Sequence, residues 1–174
     1  PTRLIGDIMN IFVLDESPEE AARMQCDKHV VKMILESAQM LCSVWPDGRA
    51  PYKRAFYNHP CTKWVRESAH NHFWLLQHAN ALCREYTRRY GKVHKTQEVI
   101  KWCYENDPPW QDLGHPLDPW KGLTPFAQAM PDEYKVEGDA VQAYRNYYIG
   151  DKSRFATWKE PGVVPDWFQE SVCV

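Results

Sequence analysis

At 174 residues the chain is long enough for one domain with a sizeable core, so neither disulfides nor a structural metal is needed to explain folding. Its six cysteines, at 26, 42, 61, 83, 103 and 173, form no C-x-x-C pair, and no stretch resembles a membrane span or a signal peptide, so a reducing, cytoplasmic setting is expected. A net charge of −2 argues against a general nucleic-acid binder, yet residues 49–101 carry eleven Lys/Arg against three Asp/Glu, a local excess of +8 between two acidic ends.

Asn10 to Leu14 is a short apolar run, read as a strand or an extended lead-in. Ser17, Pro18 and Glu20 then form an S-x-x-E capping box that predicts a helix from about 18 to 43, with Asp27 as a candidate cap for a second segment. Inside it His29, Lys32 and Glu36 fall within about 60° of one another at about 100° per residue, while Val30, Val31, Ile34, Leu35, Ala38, Leu41 and Cys42 gather opposite. Taken alone, this is the solvated polar face of any amphipathic helix, with an ordinary i, i+4 ion pair. Read functionally, it places a proton donor, a cation and a carboxylate together.

Pro46, Gly48 and Pro51 break the helix, and Tyr52 to Pro60 reads as an exposed aromatic and basic loop with His59 held extended by Pro60. Helix resumes from Pro60 to about Ser68, which caps a long segment to Tyr90 with Phe73, Leu76, Leu82, Cys83 and Tyr86 as its core stripe and Gly91 as its stop. Thr96 is the expected cap of a further helix through Tyr104. Residues 106–138, rich in Pro, Gly and Asp, are expected as a long ordered surface loop, followed by a helix from Asp139 to Tyr148 and a Gly/Pro-punctuated tail. The expected fold is an all-α, compact, single-domain helical bundle spanning 1–174.

Several chemistries lack their motifs. There is no HExxH or Cys/His zinc spacing, His70 and His72 face different ways on a helix, and no phosphate loop, GxSxG or dinucleotide fingerprint occurs. No metal and no cofactor is expected, so any reaction falls to amines, carboxylates and histidines. The basic segment, interleaved with Tyr52, Tyr57, Trp64, Trp74, Tyr86 and Tyr90, has the composition of a phosphate-binding face. Lys53, Arg54, Tyr57, Asn58, His59, Lys63, Arg66, Arg88, Arg89, Lys92 and Lys95 are the candidate DNA contacts.

The order Asp27-x-His29 with Glu36 seven residues on, Tyr57-x-His59-Pro60, Trp74-Leu75 and Glu85-Tyr-Thr-Arg-Arg-Tyr-Gly91 resembles the pyrimidine-dimer DNA glycosylase family of the phage endonuclease V type. The likeness covers about residues 10–100 and is looser over Tyr144 to Lys152. The chain also looks like small phage-encoded proteins that open Asn-Ile-Phe-Val-Leu-Asp and carry Asp-Lys-His-Val-Val-Lys-Met. The resemblance implies a helical enzyme that flips a nucleotide, attacks C1′ with an N-terminal amine and passes through a Schiff base, with Glu36 as the catalytic carboxylate and His29 orienting or contacting DNA. Pro1 is a candidate amine. If residues 1–8 are an extension, the amine of Met9 takes that place, and Lys32 is a third candidate. The family's arginines on the catalytic helix align with Leu35 and Gln39, which removes two expected phosphate contacts. DNA is the expected partner of a monomeric chain, without a membrane. Two rivals remain open: an enzyme transferring a group to or from a 5-substituted pyrimidine, and a non-enzymatic nucleic-acid-binding module.

Overall fold

The computed structural model describes residues 8–113 and 121–172. Among them are seven α-helices and no strand, as the all-α expectation requires. Helix α1 is Pro18–Met24, α2 Asp27–Cys42, α3 Pro60–Glu67, α4 Ala69–Tyr90, α5 Gln97–Glu105, α6 Ala140–Tyr147 and α7 Asp166–Val172. The 22-residue α4 is the central post, packed against α1, α2, α3 and α5. Its ends follow the sequence: Ser68 Oγ accepts from Asn71 N at 3.0 Å, and Gly91 closes the helix at φ 69°, where a side chain would be strained.

The helical stretch predicted over 18–43 is two helices, parted next to Asp27, where a second segment was expected to begin, because Gln25 and Cys26 are extended. Ser17 Oγ accepts from Glu20 N at 3.3 Å, but the reciprocal half of the capping box is absent: Ser17 N donates to Asp15 Oδ2 instead. Asp27 does not cap α2, since Cys26 occupies that position. Its carboxylate accepts from Lys159 N, Thr157 Oγ1 and Arg89, tying the tail to the helix start. Thr96 likewise stands before α5 without a side-chain cap bond, and its N–H donates to His94 Nδ1.

Three residues expected in the core are on the surface. Phe73 is 52% exposed, Val31 41% and Leu35 42%. On α2 the reason is rotation: the buried arc contains His29, Val30, Met33, Ile34, Glu36 and Ser37, leaving Lys28, Val31, Lys32 and Leu35 as the solvent stripe. The polar trio is therefore split, with His29 and Glu36 inside and Lys32 outside. An apolar residue was as free to face water here as a polar one was to be buried with partners.

Met9 to Leu14 is an extended lead-in rather than a strand, and it is threaded through the interior with every side chain buried. Asn10 organises it. Its Oδ1 accepts from Ile11 N and Phe12 N, stabilising Phe12 at φ 58°, and its Nδ2 donates to Ala129 O at 2.8 Å. Residues 114–120 of the expected 106–138 loop lie outside the described residues. The described remainder holds the short 3₁₀ turns Trp110–Asp112 and Asp132–Tyr134, and is anchored where Trp64 Nε1 donates to Thr124 O. Helix α6 continues as a π-helical turn, Tyr148–Lys152, and the tail, expected to be irregular, ends in α7 with Phe168 buried. The described cysteines 26, 42, 61, 83 and 103 are free and buried.

Candidate active site

Glu36 sits near the middle of α2 and is 6% exposed. Its Oε1 accepts from the backbone N–H of Asn10 at 3.0 Å, so the lead-in segment passes directly over the carboxylate. Its Oε2 has no hydrogen-bond partner and lies 3.5 Å from Lys32 Nζ, an ammonium whose side chain is 57% exposed. Burial pushes the Glu36 carboxyl up, and Lys32 together with the Asn10 N–H pull part of the way back. A carboxyl whose charged form is disfavoured in this way is a stronger proton acceptor than an exposed glutamate.

His29, nearly two turns earlier, is 5% exposed and held on both sides. Phe12 stacks on its ring at 4.1 Å between centroids and 15° between planes, and Tyr148 Oη lies 2.5 Å from Nδ1. Burial brings its pKa down to about 3, with Lys152, Lys32 and Lys28 adding to the effect, so it is a neutral imidazole at physiological pH. Tyr148 also accepts from Cys26 N at 3.2 Å, linking the start of α2 to the C-terminal third. Phe155 packs edge-on to His29 at 5.8 Å, with Lys28 Nζ 4.7 Å and the Arg154 guanidinium 5.0 Å from its ring centre.

The first turn of α3 comes near the same carboxylate. His59 Nδ1 accepts from Cys61 N at 3.1 Å, capping α3, and the Cys61 thiol is pushed up to about 12 by burial, with the Glu36 charge contributing. Tyr57 is clasped by two guanidinium groups, Arg66 at 3.5 Å and Arg54 at 4.5 Å from its ring centre. Arg66 is itself buried, while Lys53, Asn58, Lys63, Lys92 and Lys95 are exposed. Arg88 is bound to Glu85 at 2.8 Å. Arg89 is placed in the interior: its guanidinium has no exposed surface and donates to Glu85, Asp27, Gln25 O and Arg23 O, so it braces the fold instead of facing a phosphate. Pro1 lies outside the described residues.

Sequence reasoning singled out Glu36, His29 and Lys32 but missed Asn10, Phe12, Tyr148 and Phe155. An asparagine opening a buried apolar run was the available signal for Asn10; nothing local distinguishes Phe12 or Phe155 from ordinary core. Among the described residues no three His, Cys, Asp or Glu side chains converge as metal ligands would, and no helix is long and apolar enough to cross a membrane.

A family model described as pyrimidine dimer DNA glycosylase matches residues 9–99, a little over half of the chain. The chain belongs to the pyrimidine dimer DNA glycosylase family. The match begins at the buried lead-in and takes in Glu36, His29, Lys32 and the basic segment, while Tyr148 and Phe155 come from the part beyond it. Membership makes DNA the substrate and pyrimidine damage the target class of this glycosylase family. Neither the curated proteins nor the solved structures contain a significant match.

Proposed function

We propose that the protein is a DNA N-glycosylase with an associated lyase step, acting on a damaged or modified pyrimidine flipped from the duplex, with Glu36 as the catalytic carboxylate. The observation that carries this reading is the state of Glu36: buried, pinned through one oxygen to Asn10 N–H, and left with only Lys32 at the other. A structural carboxylate buried this deeply is ordinarily satisfied at both oxygens.

In the reaction, a neutral amine forms the N–C1′ bond as the bond from C1′ to the base breaks and its electron pair leaves with the base. Glu36, as carboxylate, stabilises the positive charge developing on the sugar and then accepts the proton released by the amine. Ring opening gives the imine, and loss of the C2′ proton with departure of the 3′ phosphate cleaves the strand. Two amines are supported by position. Lys32 Nζ is 3.5 Å from the carboxylate, and an α-amine freed at Met9 would be one residue from the N–H that already touches Glu36. His29, neutral and immobilised, orients the site instead of carrying charge. The exposed lysines 53, 63, 92 and 95 and Asn58 supply phosphate contacts along the duplex.

Borohydride trapping tests the chemistry. Duplexes containing a cyclobutane pyrimidine dimer, a 5-modified pyrimidine or an abasic site should each be incubated with the protein and reductant, and the adducted peptide mapped. A covalent adduct on Lys32 or on the N-terminal peptide is expected. Turnover without any adduct would leave group transfer as the reading.

A further inference from the structure

The stripe that α2 turns to solvent is an unusual mixture: Lys28, Val31, Lys32 and Leu35, with both apolar members more than 40% exposed. It borders Glu36 through the Lys32 contact and reaches Arg154 through Phe155, whose ring is approached by Lys28 Nζ at 4.7 Å and by the Arg154 guanidinium at 5.0 Å. Lys28 and Arg154 are exposed and make no ion pair with any carboxylate of the described residues. The acids next to them along the chain are committed elsewhere: Asp27 to Lys159 N, Thr157 and Arg89, and Asp151 to Lys152 at 3.3 Å. The chain as a whole is acidic, so two cations without a carboxylate partner on the helix that carries the buried Glu36 and on the segment packed against it are not a sampling of its average surface.

We infer that this face, with Lys28 and Arg154 gathered about the Phe155 ring at one end and Val31 and Leu35 along α2, is where the protein grips the DNA around the flipped nucleotide, the two cations on phosphates and the two apolar side chains against the opened base stack. Unpaired cations around a site attract a polyanion, and phosphates would restore the partners these groups lack. Exposed apolar side chains cost little in water singly, but between cations they suit an unstacked base step, into which proteins commonly insert aliphatic wedges. Leu35 stands where the family resemblance aligns an arginine, so here an apolar contact takes the place of a charge and the phosphate contact passes to residues outside that position. The basic segment 49–101 then serves the flanking duplex, and the grip at the lesion comes from α2 and the C-terminal third.

This grip takes its ligand from the glycosylase reading, but its test reads binding alone. Anisotropy with a duplex carrying a tetrahydrofuran abasic analogue, which has no C1′ hydroxyl and forms no imine, would be measured from 50 to 300 mM salt beside an intact duplex. Lys28→Ala with Arg154→Ala should lower the slope of log affinity against log salt by about 2, near 0.9 for each phosphate no longer neutralised. Both side chains are exposed, so folding is spared; Lys28→Gln with Arg154→Gln repeats the test with longer side chains. Leu35→Ala should leave binding to the intact duplex unchanged and reduce the preference for the abasic duplex about tenfold. An unchanged salt slope in both double variants would overturn the inference. So would a slope that falls only on Lys53→Ala, Lys92→Ala and Lys95→Ala together, which would put the lesion on the basic segment. A normal slope change with no trapped adduct would overturn the imine chemistry and leave this face standing.

Discussion

Mild acid should destabilise this protein well before its carboxylates protonate. Burial lowers His29 to about 3 and His72 and His78 to about 4, against 6.5 for the free imidazole. At pH 5.5 the unfolded chain has taken up nearly one proton at each site, whereas the folded chain has taken up almost none. Each group contributes stability that is complete above its unfolded value and is lost as pH falls below it, so the three together cost about 4 kcal/mol between pH 7.5 and 5.5. That is a large share of the roughly 5–15 kcal/mol typical of a folded domain. Glu36 acts in the opposite direction, because burial raises its carboxyl and acid relieves the buried charge. For Glu85, burial pushes the carboxyl up but Arg88 and Arg89 outweigh it, so its contribution is lost only below about 4.5. Urea denaturation at the two pH values should therefore be run on the native chain and on Glu36→Gln, which removes the opposing effect. The variant should lose about 4 kcal/mol on acidification, and His72→Phe in that background should recover about a third of the loss. A loss below about 1 kcal/mol in Glu36→Gln would refute the assignment of neutral, buried imidazoles.

Two further outcomes separate function from framework. Glu36→Gln keeps the shape and the acceptor for Asn10 N–H but removes the charge, so glycosylase turnover should fall by about 10²–10³ while DNA affinity holds and the urea midpoint at pH 7.5 stays level or rises; a clear fall in stability would make Glu36 a structural residue. Arg89→Ala should destabilise by about 3–5 kcal/mol, because it leaves the buried carbonyls of Gln25 and Arg23 without their donor and takes from Glu85 the buried one of its two arginine partners, and a variant that folds normally but shows a weakened salt dependence would return Arg89 to the DNA contacts.

Helix starts and stops were legible because their causes are local. Ser17, Ser68, Gly91 and Asp139 each act through a side chain or a backbone angle within three or four residues. The orientation of α2 was not, because it depends on what the helix packs against. Periodicity places His29, Lys32 and Glu36 on one face, but which part of that face is covered depends on Asn10 and Phe12, which lie before the helix, and on Tyr148, more than a hundred residues after it. The basic run misled for a related reason: composition counts Arg66 and Arg89 with the surface lysines, though one clasps Tyr57 and the other is sealed among acceptors. Helix α7 follows a Pro-rich tail and depends on Phe168 finding the core, a tertiary cause with no local trace.

The inside-out arrangement of α2 argues for a selected site more strongly than any single residue does. A helix optimised for stability alone would bury Val31 and Leu35 and leave Glu36 in water. Here two aliphatic side chains give up burial worth about 1.5–3 kcal/mol each when complete, while a carboxylate is drawn in with one oxygen short of a partner. Both departures cost stability, both occur within five residues, and they meet at Lys32, the one ammonium in contact with the buried oxygen among the described residues. Local rules broken together without structural compensation mark the places where a fold serves chemistry. The pairing also fits the chemistry we propose: the carboxylate is held by the N-terminal segment, from which the proposed amine would come, and the cations and aliphatic groups face solvent, from which DNA would approach.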